Sequence, residues 1–201
     1  MTSASKNWAA FLGTGLATLA VAFAYFADVG MTDRSFDLVL EVSGRVAFVV
    51  FMVVFIARPL RQWWPTALLK NLLKHRRLIG VAFAGMHFAH LFIIFYRIHS
   101  MSNFGLVAGN IPGAVAYLFI GLMFITSFNS TTRALGPKRW RLLHTVGLYY
   151  IFLIFDLAVM LDLKEYYDAT GMIDRGGAAV LALAMMALAI RMTPAISRLS
   201  K

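Results

Sequence analysis

The chain has 201 residues, 60% of them hydrophobic and only 14% charged, with a mean hydropathy of +0.74 and no cysteine. That composition excludes an ordinary soluble domain and predicts an all-α polytopic membrane protein; without thiols, disulfides, iron–sulfur clusters, c-type haem attachment and thiol catalysis are excluded too. The net charge of +10 would suit nucleic acid, but the basic residues gather at the ends of apolar runs, as membrane topology requires, so nucleic-acid binding is set aside.

Six spans are expected, at about 8–28, 37–57, 78–97, 112–129, 142–162 and 176–193. Together with short loops they use up the chain, so residues 1–201 form one transmembrane domain. The first run resembles a signal peptide only superficially. It is long, carries Phe11, Phe23, Tyr25 and Phe26, and has no small-x-small exit, so it reads as a span. In the second, Glu41 and Arg45 stand four residues apart, a spacing that allows a helical ion pair. From Arg58 to Arg77 the chain is basic and aromatic. Trp63, Trp64 and Pro65 suit an interfacial segment there, and Lys70 to Arg77 a helical lead-in to the third span.

The charges segregate by side. Lys6, the six cations from Arg58 to Arg77, the four from Arg133 to Arg141, and Arg191, Arg198 and Lys201 make fourteen on one face; Arg34, Arg97, Lys164 and Arg175 lie on the other, with Arg45 inside a span. All the acids, from Asp28 to Asp174, fall on or toward that second face. The positive-inside rule then places both termini in the cytoplasm of a bacterial inner membrane.

Histidine is the chemically informative residue. His87 and His90, spaced i, i+3, lie on one face of the third span, and His144 lies just inside the fifth. Counting from the basic edges at Arg77 and Arg141, helix rise places His87 about 15 Å deep, His90 about 20 Å and His144 about 5 Å. An imidazole in hydrocarbon is costly unless paired or ligating. His75 and His99 fall at the membrane edges and read as interfacial. Two imidazoles from facing helices clamp a b-type haem, for which Gly80, Gly85, Ala89, Gly113 and Gly121 would allow close approach. The same small residues equally suit helix packing. A zinc or copper site built from the three histidines, with Met86 or Met160 as soft ligands, is a second possibility. A cofactor-free scaffold or accessory subunit is a third. Arg76, Arg77 and Arg139 are placed to neutralise haem propionates or a flavin phosphate, or serve only as topology determinants and anionic-lipid contacts. Asp156, in the outer half of the fifth span, would relay protons, pair with Arg97, or snorkel to the surface.

The run Arg76-Arg77-Leu78-Ile79-Gly80 with His90 thirteen residues after Arg77, and Trp140-Arg141-Leu142-Leu143-His144 followed by Tyr149, resemble the ferric-reductase-like transmembrane domain superfamily. Gly44-Arg45, Thr126-Ser127 and Leu135-Gly136 before Trp140 extend the likeness over about residues 36 to 160. It is nearest to the haem-binding membrane subunit of the periplasmic methionine sulfoxide reductase system. The resemblance implies transmembrane electron transfer through haem b, from a cytoplasmic flavin (FMN) or quinol to a periplasmic acceptor. His90 and His144 would be the iron ligands, and the redox partner a separate protein or membrane quinone. The family pattern places another histidine about thirteen residues after the one matched by His144, where this chain reads Ile154-Phe155-Asp156-Leu157-Ala158. Three arrangements follow: one haem clamped obliquely between His144 and His87 or His90, which is the expected one; a haem on His90 with a non-histidine ligand such as Met160; or loss of haem. No dinucleotide-binding glycine fingerprint is present.

Overall fold

A computed structural model describes residues 2–100 and 111–199, with side chains as far as 193. Arg198 and Lys201, counted above among the cations, lie outside the described side chains. Among the described residues the fold is all-helical: α1 (Ser3–Val29), α2 (Asp33–Trp63), α3 (Ala67–Ser100), α4 (Ile111–Ile125), α5 (Asn129–Leu135), α6 (Pro137–Thr170) and α7 (Arg175–Leu199). Five of them, α1, α2, α3, α6 and α7, are long and apolar enough to cross a membrane. The helices outrun the expected spans. Lys70 to Arg77 is indeed helical and continuous with α3, while Trp63 and Trp64 stay exposed where α2 ends.

The expected span 112–129 is the exception. Helix α4 stops at Ile125, its 15 residues covering only about 22 Å, and α5 leaves it at 105°. Local hydroxyls compete for the backbone at the break. Thr126 Oγ1 donates to the Leu122 carbonyl at 2.7 Å, Thr132 Oγ1 to that of Thr126 at 2.6 Å, and Trp140 Nε1 to the same Thr126 oxygen at 3.0 Å. Gly136, at φ 77°, then turns the chain into α6, whose first residue is Pro137.

The basic ends of the helices meet at one end of the bundle. Asn7 Nδ2, buried near the start of α1, donates to the Ser127 carbonyl at 3.1 Å, and Arg77 Nη1 donates to Asn129 Oδ1 at 2.6 Å. Arg191 Nη1 reaches back to the Phe55 carbonyl at 2.5 Å, its guanidinium lying over the Phe55 ring. At the other end Arg97 holds Asp37 Oδ1 at 2.5 Å, so Asp156 is not its partner.

The main core joins α2, α3, α4, α6 and α7 through Phe48, Phe51, Phe55, Phe83, Ile120, Ile151, Phe152 and Ala184. Aromatic planes run along it: Phe55 stacks on Phe152 at 4.6 Å and 8°, and Phe48 on Phe155 at 4.6 Å and 20°. A smaller cluster of Phe26, Phe36, Val39 and Ile93 closes the acidic end of α1–α3. Large apolar side chains such as Leu16, Val21, Leu118 and Leu153 point outward, as lipid-facing residues must.

Helix α7 is fastened by charge as well as packing. Arg45 pairs with Glu41 at 2.5 Å, as the i, i+4 spacing predicts, and also with Asp174. Asp174 in turn accepts the Gly176 and Gly177 N–H groups, each at 2.9 Å, which caps the first turn of α7. Burial alone would raise the Asp174 carboxyl; those two N–H groups and the Arg45 guanidinium outweigh it and hold the group below its ordinary value. A lowered folded-state pKa contributes stability that is complete above the unfolded value of 3.8 and is lost as the pH falls through the lowered one. Asp174→Asn is therefore expected to flatten the acid limb of a melting-temperature-versus-pH profile in detergent. Asp174→Ala should cost about 1–2 kcal/mol at neutral pH, the usual cost of losing a helix cap.

Candidate functional site

Two cavities are sunk into the bundle from opposite ends. The outer one, about 670 Å³, opens among the acidic residues between α2, α3, α4 and α6. The inner one, about 440 Å³, opens among the basic residues. Both fall within the roughly 300–1,000 Å³ typical of cofactor pockets. Ile120 and Ile151 face both cavities, so the partition between them is one side chain thick there.

His87 and His90 line the outer cavity. Their rings are parallel to within 3° with centroids 5.3 Å apart. The stack continues from His87 to Tyr117 at 4.7 Å, and to Phe83 at 5.5 Å, which lines the inner cavity. Aromatic planes thus pass through the partition.

Hydrogen bonds fix what each imidazole offers. The Ser43 hydroxyl lies 3.3 Å from the Leu40 carbonyl, to which it donates, and Ser43 Oγ is 2.8 Å from His90 Nδ1. With the Ser43 proton on Leu40, Ser43 accepts the Nδ1–H of His90 and Nε2 keeps its lone pair, the outer contact of a metal-ligating histidine; with that proton turned to Nδ1 the ring takes the other tautomer. His87 is only 7% exposed and its Nδ1 has no partner. His144 lines the inner cavity instead. Its Nε2 is 3.1 Å from Thr126 Oγ1, which also reaches the Leu122 carbonyl at 2.7 Å. The ring stacks on Trp140 at 4.1 Å.

The expected clamp of one haem between His144 and His87 or His90 is thus not what the fold assembles: the two sets line different cavities, on either side of the partition. Nor do His87 and His90 face each other across a slot, since both come from α3 and lie in parallel. Met160, offered as an alternative ligand, is 54% exposed and points away from both cavities. The three-histidine zinc or copper site is not formed either; no group of three or more histidines and carboxylates among the described residues is arranged to hold a metal ion. Arg77 lines the inner cavity, whereas the cations at the outer one are Arg45 and Arg97. His75 and His99 are exposed. Asp156 is 6% exposed, and its Oδ1 makes no hydrogen bond, so it neither snorkels nor pairs with Arg97. Gly85 and Gly121 are taken up by helix packing, against Phe11 and Phe88. Gly80 and Gly113 border cavities with nothing within 4 Å of an added Cβ.

Comparison with protein-family models, with curated proteins and with solved structures found no match to this chain.

A haem can be tested against the outer cavity on these observations. Gly44, Gly113, Ala116 and Ala158 leave the walls low, and Phe48, Phe155 and Tyr117 offer flat apolar faces; Arg45 and Arg97 lie toward the acidic end, already paired with Glu41 and Asp174 and with Asp33 and Asp37, so carboxylates of a bound group would have to displace those partners. His90 has Ser43 on its Nδ1 side, and His87 a buried nitrogen still lacking a partner. The residues fit a haem held from one face. No second imidazole stands opposite on α6, which offers Ile151, Ile154 and Phe155 there.

Proposed function

We propose that this chain is a membrane haem b protein that carries electrons across a bacterial inner membrane, with both termini in the cytoplasm. The observation that carries the reading is the pair of imidazole-bearing cavities set back to back, one open to each end of the bundle and parted by Ile120, Ile151 and the Phe83–His87 stack. An electron carrier needs stations close together along the membrane normal and a dry wall between them; a transporter needs a path, and here two isoleucines close it.

His90 would hold the iron through Nε2, with Ser43 fixing the ring. Arg45 and Arg97 would turn to the propionates in exchange for their present partners Glu41, Asp174, Asp33 and Asp37, a role the sequence had suggested for Arg77. When bound, the haem supplies one-electron chemistry at a potential set by its single protein imidazole and by burial. The protein's own part is to orient His90 and to exclude water with Phe48 and Phe155. The donor would be a quinol or a reduced flavin at the basic end and the acceptor a separate protein at the acidic end. The combination resembles the haem subunits named above.

The test is the reduced-minus-oxidised visible spectrum of the purified chain, expressed with ample haem. A b-type α-band is expected. His144→Ala should leave that band in place, because His144 belongs to the other cavity. Colourless protein would leave the scaffold reading in its place, and a band lost with His144 would restore the oblique clamp.

A further inference from the structure

The inner cavity has a charge distribution that topology alone does not explain. Arg58 of α2, Lys74, Arg76 and Arg77 of α3, Arg141 of α6 and Arg191 of α7 all line it, and among the described residues no carboxylate does. The positive-inside rule accounts for cations on this side of the membrane. It does not require four helices to aim them into one recess, nor that recess to lack a compensating acid. Each of the five ion pairs among the described residues uses Arg45, Arg97 or Lys164, at the opposite end. Three of the inner cations are held by neutral groups: Arg77 by the Asn129 amide oxygen, Arg141 by the Pro137 carbonyl at 3.1 Å, and Arg191 by the Phe55 carbonyl and the Phe55 and Tyr149 rings. These contacts orient guanidinium groups without neutralising them.

Below the cationic mouth the cavity turns apolar, through Phe51, Phe83, Ala84 and Met123 to Ile120. A charged rim over an apolar floor, at the level of the bilayer interface, selects an amphiphile with an anionic head. Gathering like charges at one mouth is unfavourable unless an anion joins them, and phosphate suits the forked donors of arginine. Basic pockets between helices on the cytoplasmic side are where phospholipid head groups dock.

We propose that the inner cavity is a binding site for a phosphate-bearing amphiphile, namely an anionic phospholipid of the inner leaflet. Its phosphate sits among Arg76, Arg77 and Arg141, and the upper part of one acyl chain reaches toward Phe83. This goes beyond the haem reading and does not depend on it; with the lipid in the inner cavity, the electron donor of that reading docks at the basic end outside this cavity. Occupied, the cavity no longer admits water to the partition.

The test uses the full chain in vesicles of phosphatidylcholine mixed with phosphatidylglycerol, extracted in mild detergent and analysed for retained lipid by native mass spectrometry. Wild type is expected to retain phosphatidylglycerol in preference. Two variants separate the cavity from a general basic surface. Arg76→Lys/Arg77→Lys/Arg141→Lys keeps the charge and the topology but loses the forks. Gly80→Leu keeps every cation and puts a side chain into the cavity, where nothing lies within 4 Å of the new Cβ. Gly80→Leu should reduce the preference about tenfold, and the lysine variant less so. Equal retention by wild type and Gly80→Leu would overturn the proposal, because the lipid would then be held by surface charge. Competition at micromolar FMN or millimolar inorganic phosphate that empties the cavity of lipid would overturn it too, since the phosphate would then come from a soluble ligand.

Discussion

His90→Ala is expected to abolish the b-type α-band, and His87→Ala to leave it in place with weaker haem retention. The two residues share a face of α3 and a wall of the same cavity, so position alone does not rank them. Their hydrogen bonds do. His90 Nδ1 lies 2.8 Å from Ser43 Oγ, a contact that orients the ring with Nε2 available to a ligand, whereas the Nδ1 of His87 has no partner to set its tautomer. Ligating histidines are held in this way by an outer contact, whose loss typically costs about 10- to 100-fold in affinity. Ser43→Ala should therefore leave the band in freshly purified protein but raise the rate of haem transfer to apomyoglobin by about that factor. If His87→Ala loses the band and His90→Ala keeps it, the assignment is reversed; if each single change halves it, the two are interchangeable.

Much of this was legible in the chain. Charge segregation and apolar run length located the apolar stretch of each of the five long helices, though not the helix ends, because both are one-dimensional properties that the bilayer enforces. The Glu41–Arg45 pair followed from spacing alone. Asp174, the third member of that cluster, did not, because it lies 129 residues from Arg45, at the cap of another helix. The break in the fourth span was not legible, for a related reason. The run from Ile111 is apolar as far as Ile125, but the Thr126-Ser127-Phe128 break is decided by hydroxyls and by Trp140 arriving from α6, and hydropathy carries no trace of such contacts. The histidines were found by residue type, yet their grouping was not. Helix rise gives depth but not azimuth between helices. His87 and His144, about 10 Å apart in estimated depth, were placed in one slot that the partition at Ile120 and Ile151 divides in two. A signal for Ser43 was present, since its position one turn before Ala47 on the buried stripe of α2 faces α3, but a lone serine in a span has many uses.

Gly85→Ala is expected to be the most destabilising single-methyl addition in the bundle, by about 1–3 kcal/mol or several degrees of melting temperature in detergent. Helices α1 and α3 touch backbone to backbone at this point. A Cβ on Gly85 would lie 2.6 Å from Thr14 Oγ1 and closer still to the Phe11 carbonyl oxygen, while one on Gly15 would meet the Gly85 carbonyl at 3.1 Å. Such approach lets helices associate in lipid, where burying apolar side chains yields little, and it brings Thr14 Oγ1 to 2.9 Å from the Ala82 carbonyl. Because rigid backbone occupies the space, the added methyl cannot be absorbed by a rotamer change; α1 must move. The accompanying experiment is a double-mutant cycle. Thr14→Val should cost about 0.6–1.7 kcal/mol in wild type, the range for a hydrogen bond between membrane helices, and almost nothing once Gly85→Ala has already pushed the helices apart. Gly80→Ala, one turn and a half nearer the basic end with open space around its Cβ, is the control. It should leave the melting temperature unchanged or raise it slightly, as replacing a helical glycine by alanine does where nothing is in the way. Equal costs at Gly80 and Gly85 would show that α1 is held by its apolar surface, with no specific crossing at Gly15 and Gly85.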